Sequence, residues 1–124
     1  MRKHSKQSCI DLAKKIVRES GDTCERCHKQ SPVFHAAHIM PVTYAATCAD
    51  LNNLLRLCPS CHSVGPKSSH QNPASFGIWL NDEFPGRYER LEKKAHGYAK
   101  NKLKIDWNEV WEELKLDEST TLLD

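Results

Sequence analysis

Two Cys-x-x-Cys pairs constrain this 124-residue chain more than any other feature. Cys24 and Cys27 form the first pair, and Cys58 and Cys61 form the second. This spacing lets one tight turn present two thiolates to a tetrahedral ion, and two such turns fill all four positions around it. We therefore predict one structural zinc ion that contributes directly to folding. A redox-active pair and an iron–sulfur cluster are the alternatives.

The six cysteines would suggest three disulfides in a secreted chain. However, no apolar stretch that could form a signal-peptide core follows the basic N-terminus. No apolar run approaches the roughly 20 residues of a membrane-spanning helix either. We therefore expect a cytoplasmic protein with reduced thiols and no membrane association. Of the two remaining cysteines, we expect Cys9 to be a core residue, whereas Cys48 has no predicted partner.

The net charge of +2 conceals an uneven distribution. Residues 1–105 carry 17 Lys or Arg against 9 Asp or Glu, whereas residues 106–124 carry one Lys against seven acids. A basic body suits a polyanion such as nucleic acid, because lysine and arginine displace counterions from phosphates. An ordinary solvated surface can have the same composition, so charge alone leaves both interpretations open.

Hydrophobic periodicity and turn residues predict one α+β domain. Its predicted parts are an N-terminal helix in 1–23, a zinc-framed core in 24–70, a helical extension in 71–118 and a frayed tail in 119–124. Gly21 is well placed to end the first helix, and the short apolar segments 33–39 and 53–58 predict two strands. Asn72 and Asp106 are typical N-caps for two of the later helices.

Three residues are interleaved with the cysteine pairs in a specific order. His38 lies in "AHIMP", Asn53 begins "NLLRLC", and His62 directly follows Cys61 in "CPSCH". Together these segments, within residues 24–62, resemble the HNH (His-Asn-His) endonucleases. The resemblance implies a small zinc-stabilised ββα-metal finger, flanked here by N-terminal and C-terminal helices.

The resemblance also implies a metal-dependent DNA endonuclease that hydrolyses phosphodiester bonds. His38 corresponds to the general base, since a neutral imidazole can take a proton from water near neutral pH. His62 corresponds to a ligand of a catalytic divalent ion (Mg²⁺, Mn²⁺, Ni²⁺ or Zn²⁺), which stabilises charge on the leaving oxygen. Asn53 corresponds to the middle asparagine, which holds the hairpin through side-chain bonds to the backbone.

The chain departs from the family pattern at two places. Many members carry Asp or His directly before the general base as a second metal ligand, whereas this chain has Ala37. His35 points to the same face of a strand as residue 37, so it is the candidate replacement, and a solvent-facing histidine is the alternative. Further on, "SVGPK" breaks helical periodicity, which leaves Lys67 or His70 either to reach a phosphate or to lie on a plain surface loop.

A weaker resemblance in layout connects the chain with phage recombination nucleases of the NinG type, which implies a bacterial or phage-infected cell. A non-catalytic, zinc-dependent module that binds nucleic acid or protein is the alternative function. That alternative accounts for the cysteines and the charge but not for the order of His38, Asn53 and His62. The sequence predicts no oligomeric state.

Overall fold

The computed structural model describes residues 3–101 and 104–123, within which four α-helices surround a two-stranded antiparallel sheet. Mixed helices and strands confirm the α+β class. Within the same residues, no helix is both long enough and apolar enough to cross a membrane. In chain order the elements are α1 (Lys6–Glu19), β1 (His35–His38), a 3₁₀ turn (Leu51–Asn53), β2 (Leu54–Leu57), a π-helical turn (Ser60–Val64), α2 (Pro73–Glu83), α3 (Arg87–Asn101) and α4 (Trp107–Leu123).

Helix α1 packs on the sheet and on α4 through its apolar face. Ser5 caps its N-terminus, because the side chain accepts a hydrogen bond from the Ser8 N–H. The helix ends at Glu19 with Ser20 as its C-cap, directly before the predicted stop at Gly21. A Cβ at Gly21 would lie 2.5 Å from the Arg56 guanidinium, so a larger residue there would have to displace the end of this side chain. Cys9 is fully buried in this core, as predicted.

The two strands form a hairpin in which His35 pairs with Leu57 and His38 pairs with Leu54. Both strands are shorter than the predicted segments 33–39 and 53–58. Strand β2 starts one residue later than predicted, because Asp50 caps a 3₁₀ turn that includes Asn53. The Ile39 N–H still donates to the Asn53 carbonyl, so one hydrogen bond extends beyond the regular ladder.

The element that follows β2 is a single π-helical turn, Ser60–Val64, and not an α-helix. Gly65 ends this turn in an extended conformation, and a Cβ there would lie 2.5 Å from the Ser60 carbonyl oxygen. The predicted break in helical periodicity is therefore present. The sheet and the turn give a two-strand hairpin followed by a short helical segment that carries His62.

The C-terminal half contains the predicted helix starts. The Asn72 side chain accepts from the Ser75 N–H at the start of α2, and the Asp106 side chain accepts from the Glu109 N–H at the start of α4. Helix α4 continues through Leu123 and so includes most of the segment 119–124, for which fraying stays a prediction, and Asp124 lies outside the described residues. Arg87 fixes α3 to the hairpin by donating to the Leu54 carbonyl.

Candidate functional site

The two Cys-x-x-Cys pairs meet in one cluster. The sulfur atoms of Cys24, Cys27, Cys58 and Cys61 all lie within 4.8 Å of one another. The Cys27 and Cys58 sulfurs are 3.8 Å apart, and two thiolates about 2.3 Å from a tetrahedral zinc ion lie about 3.8 Å apart. The chain can therefore hold one structural zinc ion with all four positions filled by cysteine.

Backbone hydrogen bonds shape the first turn around this cluster. The Cys24 N–H donates to the Lys29 carbonyl, and the His28 N–H donates to the Cys24 carbonyl. His28 adopts a left-handed conformation with φ of 62°, which closes the turn directly after Cys27. The Glu25 N–H donates to the Arg56 carbonyl and thereby joins the turn to β2. The first cysteine pair is thus fixed to the strand that leads into the second pair.

The thiols of the cluster differ in their readiness to lose a proton. Burial raises the pKa of Cys24, but backbone N–H groups of Cys27, Cys58 and Arg26 outweigh it and lower the value to about 7. Burial and the neighbouring Cys58 and Cys24 thiols raise the pKa of Cys61. A divalent cation at the centre of the cluster binds the thiolate form of each cysteine and so lowers the pKa of the thiols. Metal binding at the cluster therefore releases protons.

A second site lies in a cleft of about 580 Å³ between α1, the hairpin, the turn Ser60–Val64 and helices α2 and α3. His38 and His62, which lie on different elements, both line this cleft. The other residues of its lining are mostly apolar, and none of the described residues that line it carries a carboxylate. The polar lining residues are Lys14, His38, His62, Ser69, His70 and Tyr88.

Asn53 organises the loop that follows the His38 strand. Its side chain is fully buried, accepts from the Met40 N–H at 2.6 Å, and donates to the Met40 and Thr47 carbonyls at 3.1 and 2.9 Å. The next residue in this loop, Cys48, has its carbonyl oxygen 2.8 Å from His38 Nε2. Asn53 therefore makes the predicted type of side-chain bonds to the backbone, and the loop that it holds contacts His38.

His35 lies directly beside His62. Their Nδ1 atoms are 2.8 Å apart, which is a hydrogen-bond distance, whereas two imidazole nitrogens about 2.1 Å from one tetrahedral ion lie about 3.4 Å apart. Ala37, in contrast, is buried in an apolar cluster that includes Leu55 and Leu57, and it offers no ligand. A rotation of either imidazole ring away from this hydrogen bond would be needed before the pair could hold one divalent ion.

The surroundings of His62 keep its imidazole neutral. Burial is the main cause, and the nearby His70, His35 and Lys14 also disfavour a positive charge, so the pKa of His62 falls to about 4. A metal ligand must be neutral imidazole, so this environment suits coordination near neutral pH. Lys67 is not among the lining residues of the cleft, whereas His70 is.

Two residues of the cleft escaped sequence reasoning. Lys14 comes from α1 and Tyr88 from α3, and both line the cleft with His38 and His62. Neither belongs to a motif, and only the packing of the two helices brings them to the hairpin.

Comparisons with protein-family models, curated protein sequences and solved structures find no match for the chain.

Proposed function

We propose that this protein is a metal-dependent DNA endonuclease of the HNH type. The observation that carries the proposal is the shared cleft: His38, held by a backbone carbonyl, and His62, paired with His35, line the same cavity. A base and a metal-binding pair next to one another are the groups that hydrolysis of a phosphodiester requires. A zinc cluster alone would require neither group.

The hydrogen bond of His38 defines which nitrogen acts as the base. A carbonyl oxygen only accepts, so the contact with Cys48 requires a proton on His38 Nε2. Nδ1 then carries the free lone pair and takes the proton from the attacking water. Asn53 is a positioning residue in this scheme, because it holds the loop whose carbonyl orients the imidazole.

His62 and His35 would hold the catalytic divalent ion. Such an ion supplies stabilisation of the negative charge that develops on the leaving oxygen. The four-cysteine zinc site serves as the frame, since His62 is bonded directly to Cys61 and its N–H donates to the Cys58 carbonyl. In this proposal the hairpin and the turn Ser60–Val64 form the ββα-metal finger, with its helical part reduced to a single turn.

DNA is the proposed partner. Lys14 lines the cleft beside the histidines, where its charge can meet a phosphate. The excess of Lys and Arg over acids in residues 1–105 supports binding to the rest of the backbone. A bacterial or phage-infected cell remains the expected location, from the weaker resemblance to phage recombination nucleases. The same resemblance is the reason to include branched DNA among the test substrates.

A cleavage assay tests the proposal. Zinc-loaded protein is incubated with supercoiled, linear and branched DNA, with and without added divalent ions, and cleavage that requires the added ion is expected. His35→Ala should raise the ion concentration needed while leaving the structural zinc intact. His96→Ala, at an exposed histidine outside the cleft, is the matched control. DNA binding without cleavage under any ion would favour the non-catalytic binding module instead.

A further inference from the structure

The cleft that contains His38 and His62 has two chemically different sides. Its lysine and its imidazoles come from α1, the hairpin and the segment around His62. Helices α2 and α3 contribute only uncharged residues, which we call the α2–α3 wall: Pro73, Phe76, Gly77, Leu80 and Tyr88. A ligand that matches both sides has a negatively charged part and an apolar part.

One face of α2 forms most of this wall. Pro73, Gly77 and Leu80 follow one another at intervals of four and three residues, so they lie on the same side of the helix. Phe76 and Leu80 are buried, whereas Gly77 is only partly buried. At Gly77 the wall is therefore backbone, with no side chain between the helix and the cleft.

The fold itself does not require a glycine at position 77. Its φ is not in the left-handed region that Gly86 adopts, and no atom of the described residues lies within 4 Å of a Cβ built at Gly77. Glycine destabilises a helix interior relative to alanine, because it loses more conformational freedom on folding. Close approach of a ligand to the backbone is a recurrent reason for a glycine that packing does not explain.

A nucleotide has the two parts that the cleft matches. Lys14 can pair with a phosphate, and Tyr88, which is 36% exposed, offers an aromatic ring on which a base can stack. The cleft volume of about 580 Å³ lies within the range of small-ligand sites, about 300–1,000 Å³. In paired DNA the bases are stacked inside the duplex, so only an unpaired nucleotide can place its base in a side cleft.

We propose that the cleft holds one unpaired nucleotide of the DNA, with its phosphate beside Lys14 and its base against Gly77 and Tyr88. The preferred substrate is then DNA with a single-stranded segment rather than fully paired DNA. This inference rests on the proposed function for the identity of the polymer, but on the two sides of the cleft for the unpaired base.

Binding of single-stranded DNA tests the inference without any cleavage. Zinc-loaded protein, with no added divalent ion, is titrated into a labelled single-stranded oligonucleotide and into a labelled hairpin duplex, and fluorescence anisotropy reports binding. We expect the single strand to bind more tightly. Tyr88→Ala should weaken binding of the single strand about 5- to 150-fold, the range for one base stacked on an aromatic ring. Tyr88→Phe keeps the ring and should lose much less.

Gly97 provides a matched control for Gly77. It lies in α3, it is not among the residues that line the cleft, and no described atom lies within 4 Å of a Cβ built there. Alanine at either position should raise the melting temperature by roughly 2–6 °C, because a helix interior favours alanine over glycine. Only Gly77→Ala, and more strongly Gly77→Leu, should weaken binding of the single strand.

The outcomes separate this inference from the proposed function. A folded Gly77→Leu protein that binds the single strand as tightly as Gly97→Leu would overturn the nucleotide site. Equal wild-type affinity for single strand and duplex, unchanged in Tyr88→Ala, would overturn the preference for unpaired DNA. Cleavage of duplex DNA by Gly77→Leu at the wild-type rate would overturn the site and leave the nuclease intact. Single-strand binding that depends on Gly77 and Tyr88, in a protein that cuts no DNA, would support the site and contradict the nuclease.

Discussion

Replacement of Asn53 by alanine tests how the fold holds its candidate base. The side chain is fully buried and bonds three backbone groups. Alanine would leave the Met40 N–H and C=O without these bonds in a buried position, whereas the Thr47 carbonyl would keep the Asp50 N–H as a donor. Two buried groups without partners at about 1–3 kcal/mol each give a loss of roughly 2–6 kcal/mol.

Such a loss is large against the roughly 5–15 kcal/mol that separates folded from unfolded domains of ordinary size. Urea unfolding of the zinc-loaded protein, followed by circular dichroism, measures the loss directly. Asn52→Ala is the matched control, because this neighbouring asparagine is exposed and should change the free energy of unfolding by less than about 0.5 kcal/mol. A loss at Asn53 no greater than that at Asn52 would refute the bonding role assigned to the side chain.

The same variant has a second expected effect. The loop that Asn53 holds carries the Cys48 carbonyl, which is 2.8 Å from His38 Nε2. Under conditions where Asn53→Ala remains folded, DNA cleavage should therefore fall more than DNA binding, because the imidazole loses its orientation and not its chemistry. Wild-type cleavage by a folded Asn53→Ala protein would show that the loop does not position His38.

Three other predictions concern metal, pH and salt. Elemental analysis of wild type should find about one zinc ion per chain. Cys58→Ser should lose both this zinc and cooperative melting, because metal binding and folding are coupled. A folded, zinc-free protein would contradict this. His62 has a folded pKa of about 4, below its ordinary 6.5. Between pH 4 and 6.5 the unfolded chain therefore binds more protons than the folded chain. The free energy of unfolding should fall as the pH is lowered from 6.5 towards 4, and it should fall more in wild type than in His62→Gln. DNA affinity should decline steeply with salt, and a salt-independent affinity would contradict phosphate contacts by the basic body.

Local spacing predicts the parts of the two sites that depend on neighbouring residues. The cysteine pairs were predictable because two residues between cysteines suit one tight turn, and the sulfur cluster has the predicted membership. The period of two along a strand predicts His35 as the replacement for the ligand missing at Ala37, and in the structure His35 contacts His62. These features need only short segments to adopt their preferred conformations.

Features that depend on loop conformation or distant packing were not predictable. The Cys48 carbonyl reaches His38 only because Asn53 shapes the intervening loop. Lys14 reaches the cleft through the packing of α1, which no motif encodes. The start of β2 also depends on loop conformation, because the cap formed by Asp50 places Asn53 in a 3₁₀ turn and not in the strand.

We infer that His38 is the base of a nuclease, and the DNA cleavage rate of His38→Ala measures this role. Proton transfer by a positioned base is typically worth about 10²- to 10⁴-fold in rate. We predict a loss on this scale that excess divalent ion does not restore, with DNA binding, zinc content and melting close to wild type. A His38→Ala protein that cuts DNA as fast as wild type would show that His38 is not the base.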